Sequence, residues 1–374
     1  MKRLLLIAIA ALLSTAAIAQ IQDLYHFTPV NDIKVTPVKD QASTGTCWCF
    51  GTTSFLEAEL IRTGKGEYDL SEMFTVRNNY MDRVADDYLR QGKGNINQGS
   101  ICHMVTRAVA KYGIMPESAY HGINYASESH NHTELQAYLK AITSASIGLK
   151  NRSEEYWDIL GNLFDTYLGK VPETFTYNGK SYTAKSFAKS LGFGDMSEYV
   201  ELTSFSNHPF YCQVPLEIPD NWDHALVYNV PLDEFLSIID NALINGFTVA
   251  WDGDLTPGSF NHQRGIALNW EKKDFKEACK LEKKYPEINV TQEIRQHDYE
   301  TFQTVDDHIM HLTGLFKDED GTYFYKTKNS WGEKSNGLGG YLYMSRSYVA
   351  MRSISILVHK DAVPEAVKHK LGIK

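Results

Sequence analysis

The chain has 374 residues, 43% hydrophobic and 22% charged, with 37 Lys and Arg against 46 Asp and Glu and a formal charge of −9. That length supports a large core divided between two packed lobes, and the acidic balance counts against a nucleic-acid or anionic-membrane partner. Aromatics at 12%, only 11 Pro and no Gly-x-y periodicity exclude a disordered or fibrous chain.

Met1-Lys2-Arg3 precedes the apolar run Leu4 to Leu13 and the small-residue site Ala17-Ile18-Ala19. A basic start, a short apolar core and an A-x-A site predict a cleavable secretory signal over residues 1–19, and hence an exported protein, periplasmic or extracellular in a bacterium. The run is shorter than the roughly 20 residues a membrane-spanning helix needs. Loss of Lys2 and Arg3 would take the charge from −9 to −11. The five cysteines, Cys47, Cys49, Cys102, Cys212 and Cys279, are too few for a disulfide framework, so the fold has to stand on its core. Their odd number leaves at least one thiol outside any internal bridge. None of their spacings resembles a complete zinc site.

Residues 20–40 read as extended. Phe50, Ser54, Phe55, Ala58 and Ile61 then recur at helical spacing until Gly64, which puts Cys47 in the first turn of a helix. Ser71-Glu72 opens a second helix and Met104 to Tyr112 forms a third. His130 to Leu149 and Ser153 to Leu168 read as helices, Thr174 to Tyr182 as a hairpin turning at Asn178-Gly179, and Leu232 to Leu243 as a helix. Beyond Gly246 strands dominate: Gly246 to Trp251, Ile309 to Phe316, Tyr323 to Lys328, Gly340 to Met344 and Arg352 to His359. The Lys-rich stretch Glu271 to Lys284 reads as a solvated helix or loop. Helices first and strands later predict an α+β protein in two lobes.

Four residues suggest chemistry: Gln41, Cys47, His308 and Asn329. A cysteine at a helix N-terminus has its thiolate favoured by the dipole and by free backbone N–H groups, and an imidazole partner would complete an activated nucleophile. Asn329, in Lys328-Asn329-Ser330-Trp331-Gly332, can accept from the ring N–H while Trp331 shields that bond. The Cys47 N–H and the Gln41 amide could hold an oxyanion. Alone, such a cysteine is usually a small buried hydrophobe and such a histidine a surface or packing residue; the four types in suitable contexts change the balance.

Gln41-x5-Cys47-Trp48-x-Phe50, Leu70-Ser71-Glu72, Asp307-His308 before a β run, and Asn329-Ser330-Trp331-Gly332 followed by Gly340-Tyr341 resemble papain-like cysteine peptidases, from about residue 35 to the end of the chain. Val171-Pro172-Glu173-Thr174-Phe175-Thr176, Asn329-Ser330-Trp331-Gly332-Glu333 and Val363-Pro364-Glu365-Ala366-Val367 resemble the bleomycin hydrolase / aminopeptidase C branch. Cys47 and His308 lie 261 positions apart, where the simple papain layout has about 130 to 150. The resemblance therefore implies a papain-like two-lobed fold: a helical lobe over 20–120 with the nucleophile, an inserted helical and hairpin subdomain over 121–245, a β-barrel-like lobe over 246–360 with His and Asn, and a C-terminal tail over 361–374.

It also implies a cysteine peptidase with Cys47, His308, Asn329 and Gln41 as catalytic residues, working on peptide substrates without metal or organic cofactor. Substrate would face Gly99, Gln98, Trp48, Trp331 and Asp307, although Asp307 reads more simply as a loop residue than as a catalytic acid. Relatives in this branch place their tail carboxylate in the cleft, which makes them aminopeptidases, and assemble as homo-oligomeric rings of six with a basic channel; a charge of −11 counts against such a channel. Thr44 stands where secreted papain-like enzymes carry a disulfide cysteine, and Gln98 replaces the first of two wall glycines. Cys49 reads as an interior packing residue. The alternatives are an endopeptidase or dipeptidyl peptidase with an open cleft, distinguished by indifference to a blocked N-terminus, and a catalytically silent binding protein, whose expected loss of a triad member is absent.

Overall fold

The computed structural model describes residues 21, 23–255 and 258–374; the expected signal segment 1–19 lies outside them. The chain divides into two compact units.

The helical unit comprises Gln41–Tyr199 and Pro215–Leu226. Its central helix, α1 (Cys47–Arg62), is buried at every residue from Trp48 to Leu60. Polar groups on α1 are tolerated because they find partners: Glu57 Oε1 accepts the Leu70 N–H at 2.8 Å and the Cys49 thiol donates to the Glu72 carbonyl at 3.3 Å. Cys49 is thus the interior residue its position suggests. Helix α2 (Glu72–Leu89) starts where the Ser71 side chain accepts the Phe74 N–H. Around these lie α3 (His103–Tyr112), α4 (Thr133–Gly148), α5 (Glu155–Leu168) and α6 (Ala184–Leu191). The hairpin Phe175–Tyr177/Lys180–Tyr182 turns with Asn178 at φ 49° and Gly179 at φ 76°, both in the left-handed region a tight two-residue turn demands. Its Phe175, Tyr177 and Tyr182 rings surround Phe187 of α6 at 5.4, 5.2 and 5.3 Å.

The second unit comprises the described residues up to Asp40, Val200–Val214 and Val227–Lys374. Among the described residues it holds an eleven-stranded mixed sheet: β1 (Thr28–Asp32), β2 (Tyr199–Thr203), β3 (Cys212–Pro215), β4 (Leu226–Asn229), β5 (Val249–Gly253), β6 (Phe260–Asn261), β7 (Ile266–Ala267), β8 (His308–Lys317), β9 (Tyr323–Lys328), β10 (Tyr341–Ser345) and β11 (Ser353–His359). The order is β3-β4-β2-β11-β5-β8-β9-β10-β7-β6, with β1 added on β8. The path is open, so the expected barrel-like lobe is a sheet and not a closed barrel. Both end strands are short, and Pro215 on β3 lacks an N–H to extend the ladder.

Strand β8 is central and buried from His308 to Phe316, so its sequence lacks the polar/apolar alternation of a half-exposed strand. Helix α7 (Leu232–Ile244) lays Phe235, Ile238, Ile239, Ala242 and Leu243 into the core with Trp251, Met310, Leu312 and Tyr325. Helices α8 (Gln292–Glu300), α9 (Arg346–Arg352) and α10 (Glu365–Leu371) complete the unit. Strands β2, β3 and β4 carry no clear sequence signal, being short and bounded by irregular segments.

Two local expectations are corrected. Ile21 and Asp23 to Tyr25 are helical instead of extended, because Ile21 and Tyr25 are buried in a second cluster with Phe316 and Phe324. The Lys-rich segment is also more than solvated surface: Ala278 and Leu281 are buried in that same cluster, beneath a single helical turn at Phe275–Ala278.

Candidate active site

In the helical unit, Cys47 is the first residue of α1, where the helix dipole favours an anion. The residue is partly exposed, and no disulfide joins any of the five cysteines among the described residues. The loop before it is closed by side chains. Gln41 Nε2 donates to the Thr44 carbonyl at 2.8 Å, and the Thr44 hydroxyl returns a bond to the Gln41 carbonyl at 2.8 Å while lying 2.6 Å from Thr46 Oγ1. At the position where secreted papain-like enzymes carry a disulfide cysteine, the Thr44 hydroxyl ties the loop.

Gln98 is anchored at both ends. Its Oε1 accepts the Gly45 N–H at 2.8 Å and its carbonyl accepts the Trp48 indole N–H at 2.9 Å. Both residues thus brace the wall at the start of α1, which is a structural use of groups expected to face substrate. A Cβ at Gly99 would collide with the Asp220 carboxylate as that side chain now stands. Behind the loop, the buried Arg83 guanidinium donates to the carbonyls of Asn95, at 2.7 Å, and Gly99, and lies over the Trp222 ring. Burial pulls its pKa down to about 10, opposed by the Asp220 carboxylate. Nothing local in the sequence marks Arg83 or Asp220 as supports of this wall.

The sheet unit holds the other expected residues. His308 opens β8, paired with Gly253 of β5, and Asn329 follows β9. His308 Nε2 lies 2.8 Å from Asn329 Oδ1, and both residues are buried. The Ser330 N–H donates to the same oxygen at 2.8 Å. The Trp331 ring stands 5.1 Å from the imidazole, and the Trp331 backbone is held by a β-bridge to Asp40. Burial lowers the His308 pKa, while the Asn329 bond and, more weakly, the Asp307 charge hold it up. Asp307 Oδ2 accepts the Leu255 N–H at 3.3 Å, a loop role.

One residue was not anticipated. His262, between β6 and β7, lies with Nδ1 3.3 Å from Asn329 Nδ2 and Nε2 2.8 Å from Ser335 Oγ. Its ring meets Trp331 edge-on at 4.8 Å. Burial, and secondarily the His308 charge, push its pKa down to about 4.

Among the described residues no group of three His, Cys, Asp or Glu is arranged to hold a metal, and no helix is long and apolar enough to cross a membrane.

Cys47 at the head of a buried helix, and the buried His308–Asn329 pair beside Trp331, are the residues that the resemblance to papain-like cysteine peptidases singles out. Residues 8–373 match the Peptidase C1-like family, and the chain belongs to it. It is similar to "Cysteine proteinase 1, mitochondrial" of Saccharomyces cerevisiae (25% identical, covering 94% of this chain and 80% of that protein). It is also similar to aminopeptidase W of Lactobacillus delbrueckii subsp. lactis (24%, covering 88% and 82%) and aminopeptidase C of Lactobacillus helveticus (23%, covering 91% and 83%). Its fold matches the crystal structure of PepW from Lactobacillus rhamnosis HN001 with a TM-score of 0.71 at 19% identity, over 96% of this chain and 86% of that one. The protein is a cysteine-type peptidase of the papain-like aminopeptidase C branch.

Proposed function

We propose that the protein is an exported aminopeptidase in which Cys47, His308 and Asn329 hydrolyse peptide bonds through a thioester. The observation that carries the reading is the buried bond from His308 Nε2 to Asn329 Oδ1: with Nε2–H committed to Asn329, Nδ1 is the ring nitrogen left for proton exchange with a thiol. The Cys47 thiolate attacks the scissile carbonyl carbon, and the Cys47 N–H with the Gln41 amide hold the oxyanion. His308 Nδ1–H gives its proton to the leaving amine, the C–N bond breaks, and a thioester remains. Water then attacks the thioester as Nδ1 takes its proton; the acid leaves and the thiolate is restored.

The aminopeptidase names of the relatives support removal of N-terminal residues, and the basic–apolar–small order of residues 1–19 supports export. Internal cleavage by the same site is favoured by one observation: the tail segment Glu365–Leu371 is a helix with Val367 and Leu371 seated in the sheet unit's core.

Incubation of the reduced protein with one peptide in free and N-acetylated forms, with mass mapping and Cys47→Ala as control, separates the readings. Sequential removal of residues from the free form alone supports the aminopeptidase, and internal cuts in both forms replace it with an endopeptidase. Turnover that survives Cys47→Ala overturns the thiol mechanism.

A further inference from the structure

An asparagine side chain is almost symmetric in shape, and rotating its amide by half a turn exchanges an acceptor for a donor. For a residue that must accept from His308, that exchange would reverse the imidazole's tautomer. Two features of the sheet unit prevent it.

The first is the Ser330 N–H, which can only donate and lies 2.8 Å from Oδ1. The second is a chain of bonds on the far side of the amide. The Gly332 carbonyl can only accept, and Ser335 Oγ donates to it at 2.6 Å. The hydroxyl has one proton, so toward His262 Nε2, 2.8 Å away, Ser335 Oγ is the acceptor. Nε2 therefore carries the ring proton, and in a neutral imidazole Nδ1 is left with a lone pair. That lone pair accepts from Asn329 Nδ2 at 3.3 Å. The amide nitrogen is thereby directed to His262 and the oxygen to His308 Nε2–H at 2.8 Å.

Every proton in this relay is placed by backbone groups that have no choice of role, the Gly332 carbonyl at one end and the Ser330 N–H at the other. The His262 ring is buried, backed by the edge-on Trp331 ring, and its own carbonyl is held by Asn336 Nδ2 at 2.8 Å. Both ring nitrogens are committed, so His262 carries no proton to or from substrate.

We infer that His262 is a positioning residue that sets the orientation of the Asn329 amide, and through it the tautomer of His308, by a one-way hydrogen-bond relay from the Gly332 carbonyl. The inference rests on the roles proposed above for His308 and Asn329. Its low pKa accords with the neutral ring the relay requires.

The test is steady-state kinetics on a peptide substrate, with pH profiles of kcat/KM, for His262→Ala, His262→Gln, Asn329→Ala, the double variant His262→Ala/Asn329→Ala, and His308→Ala. His262→Ala is expected to lower kcat about tenfold or more, up to the roughly 10²–10⁴ that positioned acid–base catalysis contributes, with KM little changed. Its kcat/KM profile should move with that of Asn329→Ala. Glutamine, whose Oε1 can accept from Asn329 and whose Nε2 can donate to Ser335, should restore most of the rate. In the Asn329→Ala background the same replacement should cost nothing further.

An unchanged kcat in His262→Ala overturns the inference, as does an equal loss with and without Asn329. If His262→Ala fails to fold by near-ultraviolet circular dichroism, Ser335→Ala carries the test: it removes the acceptor that sets the His262 tautomer and should lower kcat severalfold only where Asn329 is present; a loss independent of Asn329 overturns the inference. Full turnover by His308→Ala would instead overturn the assignment of His308 and the premise with it.

Discussion

The indole N–H of Trp48 donates to the carbonyl of Gln98 at 2.9 Å, across fifty positions of sequence. The residue after the proposed nucleophile is thereby bonded to the loop expected to line the substrate. Trp48 is fully buried, so its ring is packing and its one polar atom is a strut. Trp48→Phe keeps most of the packing and leaves that carbonyl without its donor. Such a loss costs about 1–3 kcal/mol. Urea denaturation should register that decrease together with a raised KM; a variant with parental stability and KM would show that the strut is dispensable.

Gly99 is wedged against a carboxylate, and a methyl group there would also lie 2.9 Å from Asp220 Cγ. Gly99→Ala should destabilise the helical unit by about 1–3 kcal/mol through overpacking. The replacement should be milder in an Asp220→Ala background, since the colliding group is gone. Stabilities of both singles and the double give the coupling, and purely additive values would mean that Asp220 is not what keeps residue 99 a glycine.

Burial pushes His132 down to about 3 and His262 down to about 4, whereas an unfolded histidine titrates near 6.5. Between those values the unfolded chain binds a proton the folded chain refuses. The stability each neutral ring supplies is therefore present above about pH 6.5 and is lost as pH falls toward its folded pKa, at about 1.4 kcal/mol per pH unit. Glu287 works in the opposite direction: buried and raised to about 7, it favours the folded state below the ordinary carboxylate range and loses that contribution as pH rises through 7. Comparison of the parent with His132→Gln cancels Glu287. The stability difference between them should change by about one proton's slope between pH 4.5 and 6.5; parallel curves would mean that His132 is protonated in the fold.

Helix α10 is bound by more than charge. Lys370 Nζ lies 2.5 Å from Glu234 Oε1 at the surface, a contact worth little on its own, while Leu371 is buried in the sheet unit's core. Leu371→Ala should lower the unfolding free energy by about 2 kcal/mol or more, and Lys370→Ala by less than about 1. The reverse ranking in urea denaturation would show that charge, not burial, holds the segment.

Much of the fold was legible because its causes are local. The 3.6 spacing after Phe50 and the stop at Gly64 located α1 and put Cys47 at its start. Asn178-Gly179 located a hairpin, because few other residue pairs accept two positive φ values. His308 could be set at the head of a strand and Asn329 beside a shielding tryptophan from the residues around them. What stayed illegible depends on partners brought together from far along the chain. Strands β2 to β4 are too short to announce themselves and exist because a sheet edge is there to pair with. Ala278 and Leu281 are buried under lysines because an aromatic cluster offers them a surface. Asp220, 125 positions from its partner Asn95, stands where a Cβ on residue 99 would go. His262, 67 positions from Asn329, orients an amide whose own sequence context says nothing about which way it turns. Sequence by itself determined which side chains could perform the chemistry, since identity, period and turn are properties of neighbours in the chain. Tertiary structure alone decided which polar groups hold them in place, because an orientation is set by the donor or acceptor that arrives beside a group once water has been excluded.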